Sequence, residues 1–162
     1  MTTKALFTGS FDPITNGHLE LIRRASKMFD SVTVAVIINY SKVPMFSVEE
    51  RKQLIREVTA DLPNVEADSF EGLLADYVNE KGFNIVIRGL RNTTDFNYEL
   101  QMEQVNARLF KNGTQTVYLM ADPQYSFVSS SIMKEVHSLS GDISGLVPDT
   151  VLERMNEKKK EL

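Results

Sequence analysis

The sequence predicts an α/β fold: one doubly wound domain over residues 1–162, with a parallel sheet of five strands. Two observations predict it. Short apolar or β-branched runs alternate with longer segments of helical periodicity. Those runs also lack the polar alternation of a half-exposed strand, so both faces of the sheet are expected to be covered. A chain of 162 residues with 42% hydrophobic residues can fill one such core.

Each predicted strand is a short run rich in apolar and β-branched residues. In chain order the strands are residues 5–7, 32–38, 64–68, 84–87 and 115–120. The helices are predicted from helical spacing and capping residues: Thr15 and Asn16 open the first, Ser47 with Glu50 has capping-box spacing, and Gly82 ends the third. They span residues 15–29, 47–60, 72–81, 95–110 and 129–139, and a final short helix follows Pro148.

The composition argues against several classes of function. The chain has no cysteine for a disulfide or thiolate metal site, and two histidines argue against a multi-histidine zinc centre. A net charge of −4, with basic residues spread among acidic ones, argues against nucleic acid as a partner. No segment approaches the roughly 20 apolar residues that cross a bilayer, and no long apolar signal region opens the chain. A cytoplasmic location without a membrane partner is therefore expected.

The predicted topology places a ligand at one edge of the sheet. Ligands of doubly wound folds bind beyond the carboxyl ends of the strands, where the strand order reverses. The loops expected there carry glycine, hydroxyl and cationic residues: Gly9, Ser10, Lys42, Arg88, Gly89 and Arg91. If the first and fourth strands are neighbours, Gly9-Ser10 and Arg88-Gly89 flank one crevice.

His18 lies in the first turn of the first helix, shortly after Gly9 and Ser10. A helix N-terminus offers unpaired N–H groups and a partial positive charge, which suit a phosphate. The unperturbed pKa of histidine is about 6.5, so His18 adds a donor that is neutral or cationic near neutral pH. The alternative is a solvated or capping histidine.

The remaining candidates also have two interpretations. Arg88 and Arg91 either hold phosphate oxygens, or are solvated or paired with Asp95 and Glu99. Lys42 is either an exposed loop lysine or a phosphate anchor. The serines at 129–131 either cap a helix or offer hydroxyl and N–H groups to a polyphosphate.

The segment Thr15-Asn16-Gly17-His18, preceded by GSFDP, resembles the T/HxGH signature of the nucleotidyltransferase superfamily. Further segments resemble one family within it, the bacterial phosphopantetheine adenylyltransferases, and together they span nearly the whole chain. They are TGSFDPITNGH, SKxPMFSVEER at 41–51, IRGLR at 87–91, DFNYE at 95–99 and SFVSSSIMKEV at 126–136. The resemblance implies a Rossmann-like fold of the nucleotidyltransferase type. It also implies transfer of AMP from ATP to phosphopantetheine with magnesium, giving dephospho-coenzyme A and pyrophosphate in coenzyme A biosynthesis.

The resemblance also implies roles for individual residues. His18 would bind ATP and stabilise the transition state. Phosphopantetheine would be held by Ser10, Lys42, Leu74 and Arg88. ATP would be contacted by Ser10, Phe11, His18, Gly89, Leu90, Arg91, Glu99, Tyr125, Ser126, Phe127, Val128, Ser129, Ser130 and Ser131. No protein side chain is assigned to the metal.

The sequence departs from the family pattern at three positions near the expected pantetheine entrance. Ser10 stands where threonine is common, Tyr40 where proline is usual, and Val43 where a basic residue is common. These departures leave the shape of that entrance open. The resemblance further implies a homohexamer, and coenzyme A is a candidate feedback inhibitor because product and substrates would share the pocket.

Three rival functions stay open at this point. A sibling transferase would use CTP or a nicotinamide mononucleotide acceptor, and the T/HxGH element alone does not separate it. A non-catalytic ATP-binding module would release no pyrophosphate. A helical partner-binding scaffold is disfavoured by the buried β-runs.

Overall fold

The computed structural model describes residues 1–161; Leu162, the last residue of the predicted domain, lies outside the described residues. Within residues 1–161, five strands and six α-helices follow one another along the chain. The strands are β1 (Lys4–Gly9), β2 (Ser31–Ile38), β3 (Val65–Glu71), β4 (Ile85–Leu90) and β5 (Gln115–Met120). The helices are α1 (Asn16–Met28), α2 (Val48–Val58), α3 (Leu74–Lys81), α4 (Thr93–Leu109), α5 (Ser130–Ser138) and α6 (Asp149–Lys160).

The strands form one sheet in the order β3-β2-β1-β4-β5, and every neighbouring pair is parallel. Phe7 of β1 lies opposite Val34 of β2 on one side and Ile87 of β4 on the other. The chain adds strands first in one direction from β1 and then in the other, so the order reverses between β1 and β4. The predicted α/β fold with a parallel five-stranded sheet is confirmed, and the first and fourth strands are neighbours.

Alternate residues of the central strands build the core on both faces of the sheet. Ala5, Phe7 and Ile87 belong to the larger cluster, which includes residues of α1, α2, α5 and α6. Leu6 and Val86 belong to a smaller cluster formed with α3 and the segments beside it. Full burial of these runs on both faces explains why they carry no polar alternation.

Several boundaries differ from the sequence prediction. β3 continues to Glu71, because it pairs with β2 along its whole length. β4 continues through Leu90, because its last three residues pair with β5; Arg88 and Gly89 therefore end the strand and do not follow it. α4 begins before Asp95, since Asn92 accepts a hydrogen bond from the Asp95 N–H and caps the helix. A short 3₁₀ helix, Pro123–Tyr125, lies in the expected loop after β5.

Helices α3 and α6 also begin or extend differently from the prediction. α3 begins at Leu74 because Gly72, at φ 92°, has a left-handed conformation outside the helix. α6 spans 12 residues and packs Val151 and Met155 into the larger cluster. Of the helices in residues 1–161, none combines the length and apolar character needed to cross a membrane.

The core assignment predicts a large difference between two leucines. Leu54 of α2 is 0% exposed in the larger cluster, whereas Leu139 is 78% exposed after α5. Leu54→Ala should lower the free energy of unfolding by about 2–5 kcal/mol, because it leaves a cavity in a packed core. Leu139→Ala, the matched control, should change it by less than about 0.5 kcal/mol. Urea unfolding measures both, and equal effects would contradict the assignment.

Candidate active site

The carboxyl ends of β1 and β4 border a cavity of about 280 Å³, here called the main cavity. The beginnings of α1, α4 and α5 and the 3₁₀ helix also contribute to its lining. The predicted site residues that line it are His18, Arg88, Gly89, Arg91, Glu99, Tyr125, Val128, Ser129 and Ser130. His18 and Arg88 are 70 positions apart in the sequence, yet they open onto the same cavity.

Two smaller hollows of about 150 Å³ each adjoin the main cavity. The β2 hollow, beyond the end of β2, is lined by Ser10, Lys42 and Ser131 and shares Ser130 with the main cavity. The α4 hollow, against α4, is lined by Leu74 and shares Arg88 and Glu99 with the main cavity. All four residues assigned to phosphopantetheine therefore line a hollow that shares lining residues with the main cavity: Ser10, Lys42, Leu74 and Arg88.

Four residues assigned to ATP line none of these three spaces. Phe11 and Leu90 are buried, and the phenyl ring of Phe11 lies beneath Gly9, where an added Cβ would come within 3.3 Å of it. An ATP contact from either residue would have to come from its backbone. The Ser126 hydroxyl donates to the Pro123 carbonyl at 3.2 Å, and Phe127 is exposed. These four assignments stay predictions.

The position of His18 is set by the beginning of α1. The Thr15 N–H donates to His18 Nδ1 at 3.1 Å, and the His18 N–H donates to Thr15 Oγ1 at 3.3 Å, which forms a capping box. The Phe11 ring packs edge-to-face on the imidazole with 5.1 Å between centroids. Because Nδ1 accepts from a backbone amide, the proton of the neutral ring is on Nε2. His18 can thus offer a neutral Nε2–H donor to a ligand.

The surroundings of His18 keep the imidazole neutral at physiological pH. Burial, and to a smaller extent the positive charge of Arg91, lower the pKa of His18 from 6.5 to about 4. The sequence left a neutral or a cationic donor open, and the structure favours the neutral one. The capping interpretation of His18 is also correct, since the same ring caps α1 and lines the cavity.

The backbone at the start of α1 leaves one donor for a ligand. The Asn16 N–H donates to the Leu146 carbonyl at 2.9 Å, and the His18 N–H is used by Thr15. Gly17 lies between them and lines the main cavity, and its N–H has no hydrogen-bond partner among residues 1–161. This is the geometry in which a helix N-terminus binds a phosphate oxygen.

The side chain of Arg88, on β4, makes hydrogen bonds to both α4 and β1. It donates from Nε and Nη2 to the two carboxylate oxygens of Glu99, at 2.9 and 2.8 Å, and from Nη1 to Thr8 Oγ1 at 2.8 Å. An arginine has five N–H donors, so these three bonds leave two for a ligand. The pairing interpretation is correct for Arg88, and the pair fixes the guanidinium where the main cavity meets the α4 hollow.

Arg91 is paired with Asp95 at the mouth of the main cavity. Arg91 Nε and Nη2 donate to the Asp95 carboxylate at 2.9 and 3.1 Å, and the Arg91 N–H donates to the same group at 2.9 Å. These bonds raise the pKa of Arg91 and lower the pKa of Asp95. Both arginines are therefore paired with carboxylates, and both still line the cavity.

The three serines at the beginning of α5 make different contacts. Ser129 is the N-cap, with its hydroxyl accepting from the Ile132 N–H at 3.2 Å. The Ser130 hydroxyl donates to the Pro13 carbonyl at 2.7 Å, which ties α5 to the turn after β1. Ser131 is exposed and lines the β2 hollow. Both interpretations of this cluster therefore apply to different members of it.

Three charged residues that line the β2 hollow had no role assigned from the sequence: Asp12, Arg51 and Lys134. The Asp12 carboxylate is 5% exposed and accepts from the N–H groups of Met45 and Phe46, each at 2.9 Å, and from Lys134 Nζ at 3.0 Å. It thereby joins three separate segments around the hollow. Their places inside the matching motifs were a signal, but the motifs do not show which residues are in contact.

The departures from the family pattern lie beside this hollow. Val43 is exposed and lines it, and Tyr40 is exposed, with its hydroxyl donating to the Glu71 carboxylate at 3.3 Å. Ser10 is exposed and also lines the β2 hollow. At position 43 the rim of the hollow therefore carries an apolar side chain where a basic residue is common.

The fold and the cleft define the class of protein first. A family model described as cytidylyltransferase-like matches residues 6–136, which include most of β1 and all of β2 to β5. A solved structure of a putative nicotinate-nucleotide adenylyltransferase from Vibrio parahaemolyticus has the same fold, with a TM-score of 0.70. It is 21% identical, and the match covers 98% of this chain and 95% of that one. The class is therefore the cytidylyltransferase-like nucleotidyltransferases.

Closer relatives define the family. A protein of Frankia casuarinae is 50% identical over 159 residues, covering 96% of this chain and 97% of the relative. A protein of Clostridium novyi is 49% identical over 154 residues, covering 95% of each. A protein of Caldanaerobacter subterraneus is 46% identical over 156 residues, covering 96% and 97%. All three are named phosphopantetheine adenylyltransferase, and the chain belongs to that family.

The environment of His18 predicts its titration. The imidazole should gain its second proton with a midpoint near pH 4, since burial and Arg91 oppose the cation. The unfolded chain takes up this proton at about pH 6.5, so the contribution of His18 to stability should fall as the pH drops from about 6.5 towards 4 and stay constant above. NMR of the ring carbons measures the midpoint, and a His18→Gln variant identifies the signals. A midpoint of about 6 or higher, within the ordinary range of histidine, would contradict the predicted neutral, buried imidazole.

Proposed function

We propose that the chain transfers the adenylyl group of ATP to phosphopantetheine, giving dephospho-coenzyme A and pyrophosphate in coenzyme A biosynthesis. One observation carries the proposal: a neutral histidine donor lines the main cavity, and two hollows that contain cationic residues share lining residues with that cavity. Such a cleft can bind two phosphate-bearing substrates side by side, with the histidine donor in the main cavity. The name of the relatives supports phosphopantetheine as the acceptor.

ATP is assigned to the main cavity, because two helices begin there. The N–H of Gly17 and the backbone at Ser130 offer donors to phosphate oxygens at the N-termini of α1 and α5. Arg91 adds positive charge at the mouth. The acceptor is assigned to the side of Lys42, Leu74 and Arg88, where its phosphate would meet cations and its pantetheine arm would meet apolar surface.

The reaction needs placement more than side-chain chemistry. The acceptor phosphate attacks the α-phosphorus of ATP, a new P–O bond forms, and the bond to the β-phosphate breaks with release of pyrophosphate. The phosphate is already a nucleophile, so no covalent enzyme intermediate or strong general base is required. Alignment of the two substrates can contribute about 7–11 kcal/mol. The Nε2–H of His18 would stabilise the charge that develops on the α-phosphoryl oxygens.

Magnesium belongs to the proposal as a partner of the ATP phosphates. Asp95 and Glu99, the carboxylates that line the main cavity, each accept hydrogen bonds from an arginine. Within residues 1–161 no group of three or more potential metal-ligating side chains occurs. Magnesium often keeps its waters and binds through substrate phosphates, which fits this arrangement. Its contribution would be to neutralise phosphate charge.

A panel of acceptors tests the proposed reaction against its rivals. In the presence of magnesium, ATP should release pyrophosphate when phosphopantetheine is the acceptor. Release should be far weaker when nicotinamide mononucleotide is the acceptor, or when CTP replaces ATP. A sibling transferase would reverse that order. A non-catalytic ATP-binding module would release no pyrophosphate with any acceptor, and that result would overturn the proposal.

His18 supplies the most direct mutational test. His18→Ala should lower kcat by about 10²–10⁴-fold with a smaller change in KM, because the lost donor acts mainly in the transition state. His18→Gln places an amide donor near the same position and should keep more activity than alanine. Steady-state kinetics of both variants measure this, and normal turnover of His18→Ala would contradict the assignment.

A homohexamer is the assembly we propose, and α4 supports it. The helix buries only Glu99 and Asn106 within residues 1–161. It leaves large apolar side chains exposed: Phe96, Tyr98, Leu100, Met102, Val105 and Leu109. Such a surface is typical of an interface.

Light scattering of the purified protein should give a mass close to six times the 18.3 kDa of the chain. Val105→Asp, which puts a charge on the exposed face of α4, should reduce that mass. Leu139→Asp is the matched control, since Leu139 is exposed away from α4. A monomer in the unmodified protein would overturn the proposed assembly.

The proposal also includes a cytoplasmic location and inhibition by coenzyme A. Coenzyme A contains the phosphopantetheine and adenylyl parts of both substrates, so it can compete for the same cleft. Fractionation of cells tests the location. Competition between coenzyme A and phosphopantetheine in initial-rate kinetics tests the inhibition.

A further inference from the structure

The β2 hollow contains a buried cation without a counter-ion. Arg51 of α2 is 6% exposed and lines the hollow. Its Nη1 donates to the Ser10 carbonyl at 3.0 Å and its Nε to the Ser47 carbonyl at 3.3 Å. Both partners are neutral, and among residues 1–161 no ion pair includes Arg51.

The neighbouring charges do not compensate Arg51. On its own helix, Glu49 pairs with Lys52 and Glu50 with Lys158. The one carboxylate that lines the hollow, Asp12, pairs with Lys134. Arg51 also lies in the first turns of α2, where the helix dipole is positive and adds to the cost of a buried cation.

A buried, uncompensated charge is costly to a fold, so an unmatched guanidinium at a cavity indicates an anionic ligand. Lys42, the other cation of the hollow that has no ion pair within residues 1–161, is exposed, and its field is screened by water. Lys134 has its charge balanced by Asp12. Arg51 is therefore the strongest source of positive potential in the hollow.

The bond from Arg51 to the Ser10 carbonyl gives it a second effect. Ser10 follows β1 directly and is assigned to both substrates, and its carbonyl accepts one hydrogen bond from the guanidinium. A second N–H of the same planar group donates to the Ser47 carbonyl, so the guanidinium links the turn after β1 to the beginning of α2. Arg51 thus contributes positive charge to the hollow and also positions the turn after β1.

We propose that Arg51 is a positioning and specificity-determining residue that makes the β2 hollow select an acceptor ending in a phosphate monoester over its dephosphorylated form. The inference rests on the proposed function, since it assigns this hollow to the acceptor. Arg51 sets the potential at the hollow and the position of Ser10, and Lys42 makes the outer contact.

Calorimetric titration with phosphopantetheine and with pantetheine tests this. The variants are Arg51→Gln, which keeps a donor for the carbonyl but loses the charge, and Arg51→Lys, which keeps the charge. Arg56→Gln is the matched control, because Arg56 is exposed on the same helix. Arg51→Gln should weaken phosphopantetheine binding roughly 10–100-fold, as expected for loss of a charged partner, and leave pantetheine binding nearly unchanged.

The conservative variant and the kinetics separate this role from a structural one. Arg51→Lys should keep most of the preference for the phosphorylated acceptor, and Arg56→Gln all of it. In the proposed reaction, Arg51→Gln should raise KM for phosphopantetheine and leave KM for ATP unchanged. A structural role would instead weaken both acceptors, and both substrates, together.

Two results would overturn the inference. One is wild-type binding of phosphopantetheine by Arg51→Gln, and the other is an equal loss for pantetheine and phosphopantetheine. If Arg51→Gln does not fold, the Arg51→Lys variant replaces it in the test. Loss of the phosphate preference in folded Arg51→Lys would then overturn the inference. If the unmodified protein prefers the phosphorylated acceptor but releases no pyrophosphate, the proposed reaction fails and this inference stands.

Discussion

Two hydrogen bonds between Thr15 and His18 are the constraint on which the rest of the site depends. They close a capping box at the beginning of α1, in which the side chain of His18 takes the place usually filled by glutamate or glutamine. The bonds that satisfy the end of the helix therefore also choose the tautomer of the imidazole. The same chain segment supplies the edge-on ring of Phe11 and the Gly17 N–H, which has no hydrogen-bond partner within residues 1–161. A helix start, a neutral ring donor and a free backbone donor are thus one local structure.

The second constraint is the adjacency of β1 and β4 at the reversal of the strand order. It brings Thr8 and Arg88 side by side, so that the guanidinium is held by the hydroxyl of one strand and by Glu99 of α4. An arginine held in this way has lost its conformational freedom before a ligand arrives. Arg51 contrasts with it, since its position is equally fixed but its charge is left uncompensated. The cleft accordingly combines cations balanced by carboxylates, Arg88 and Arg91, with two cations that have no ion pair within residues 1–161, Lys42 and Arg51.

Sequence reasoning predicted the architecture because the signals are local. Unbroken apolar runs such as 32–38 indicate buried parallel strands, and the carboxyl edge then follows from topology. The end of β4 was placed too early because Arg88 and Gly89 look like loop residues until β5 pairs with them. The neutral state of His18 depends on burial by other segments, and the pairing of Arg51 with carbonyls depends on how α2 packs against the turn after β1. No local sequence pattern indicates the neutral state of His18 or the hydrogen bonds of Arg51. The individual substrate contacts came from resemblance, and they stay predictions.

The central claim is that the Nε2 side of His18 faces the α-phosphate of ATP while the acceptor phosphate lies on the side of Lys42 and Arg88. A crystal structure with a non-reactive ATP analogue and phosphopantetheine tests it most directly. We expect an α-phosphoryl oxygen within about 3 Å of Nε2, the ordinary length of a hydrogen bond, with Nδ1 still bound to the Thr15 N–H. An analogue bound away from the main cavity, or an imidazole turned so that Nδ1 faces the phosphate, would contradict it.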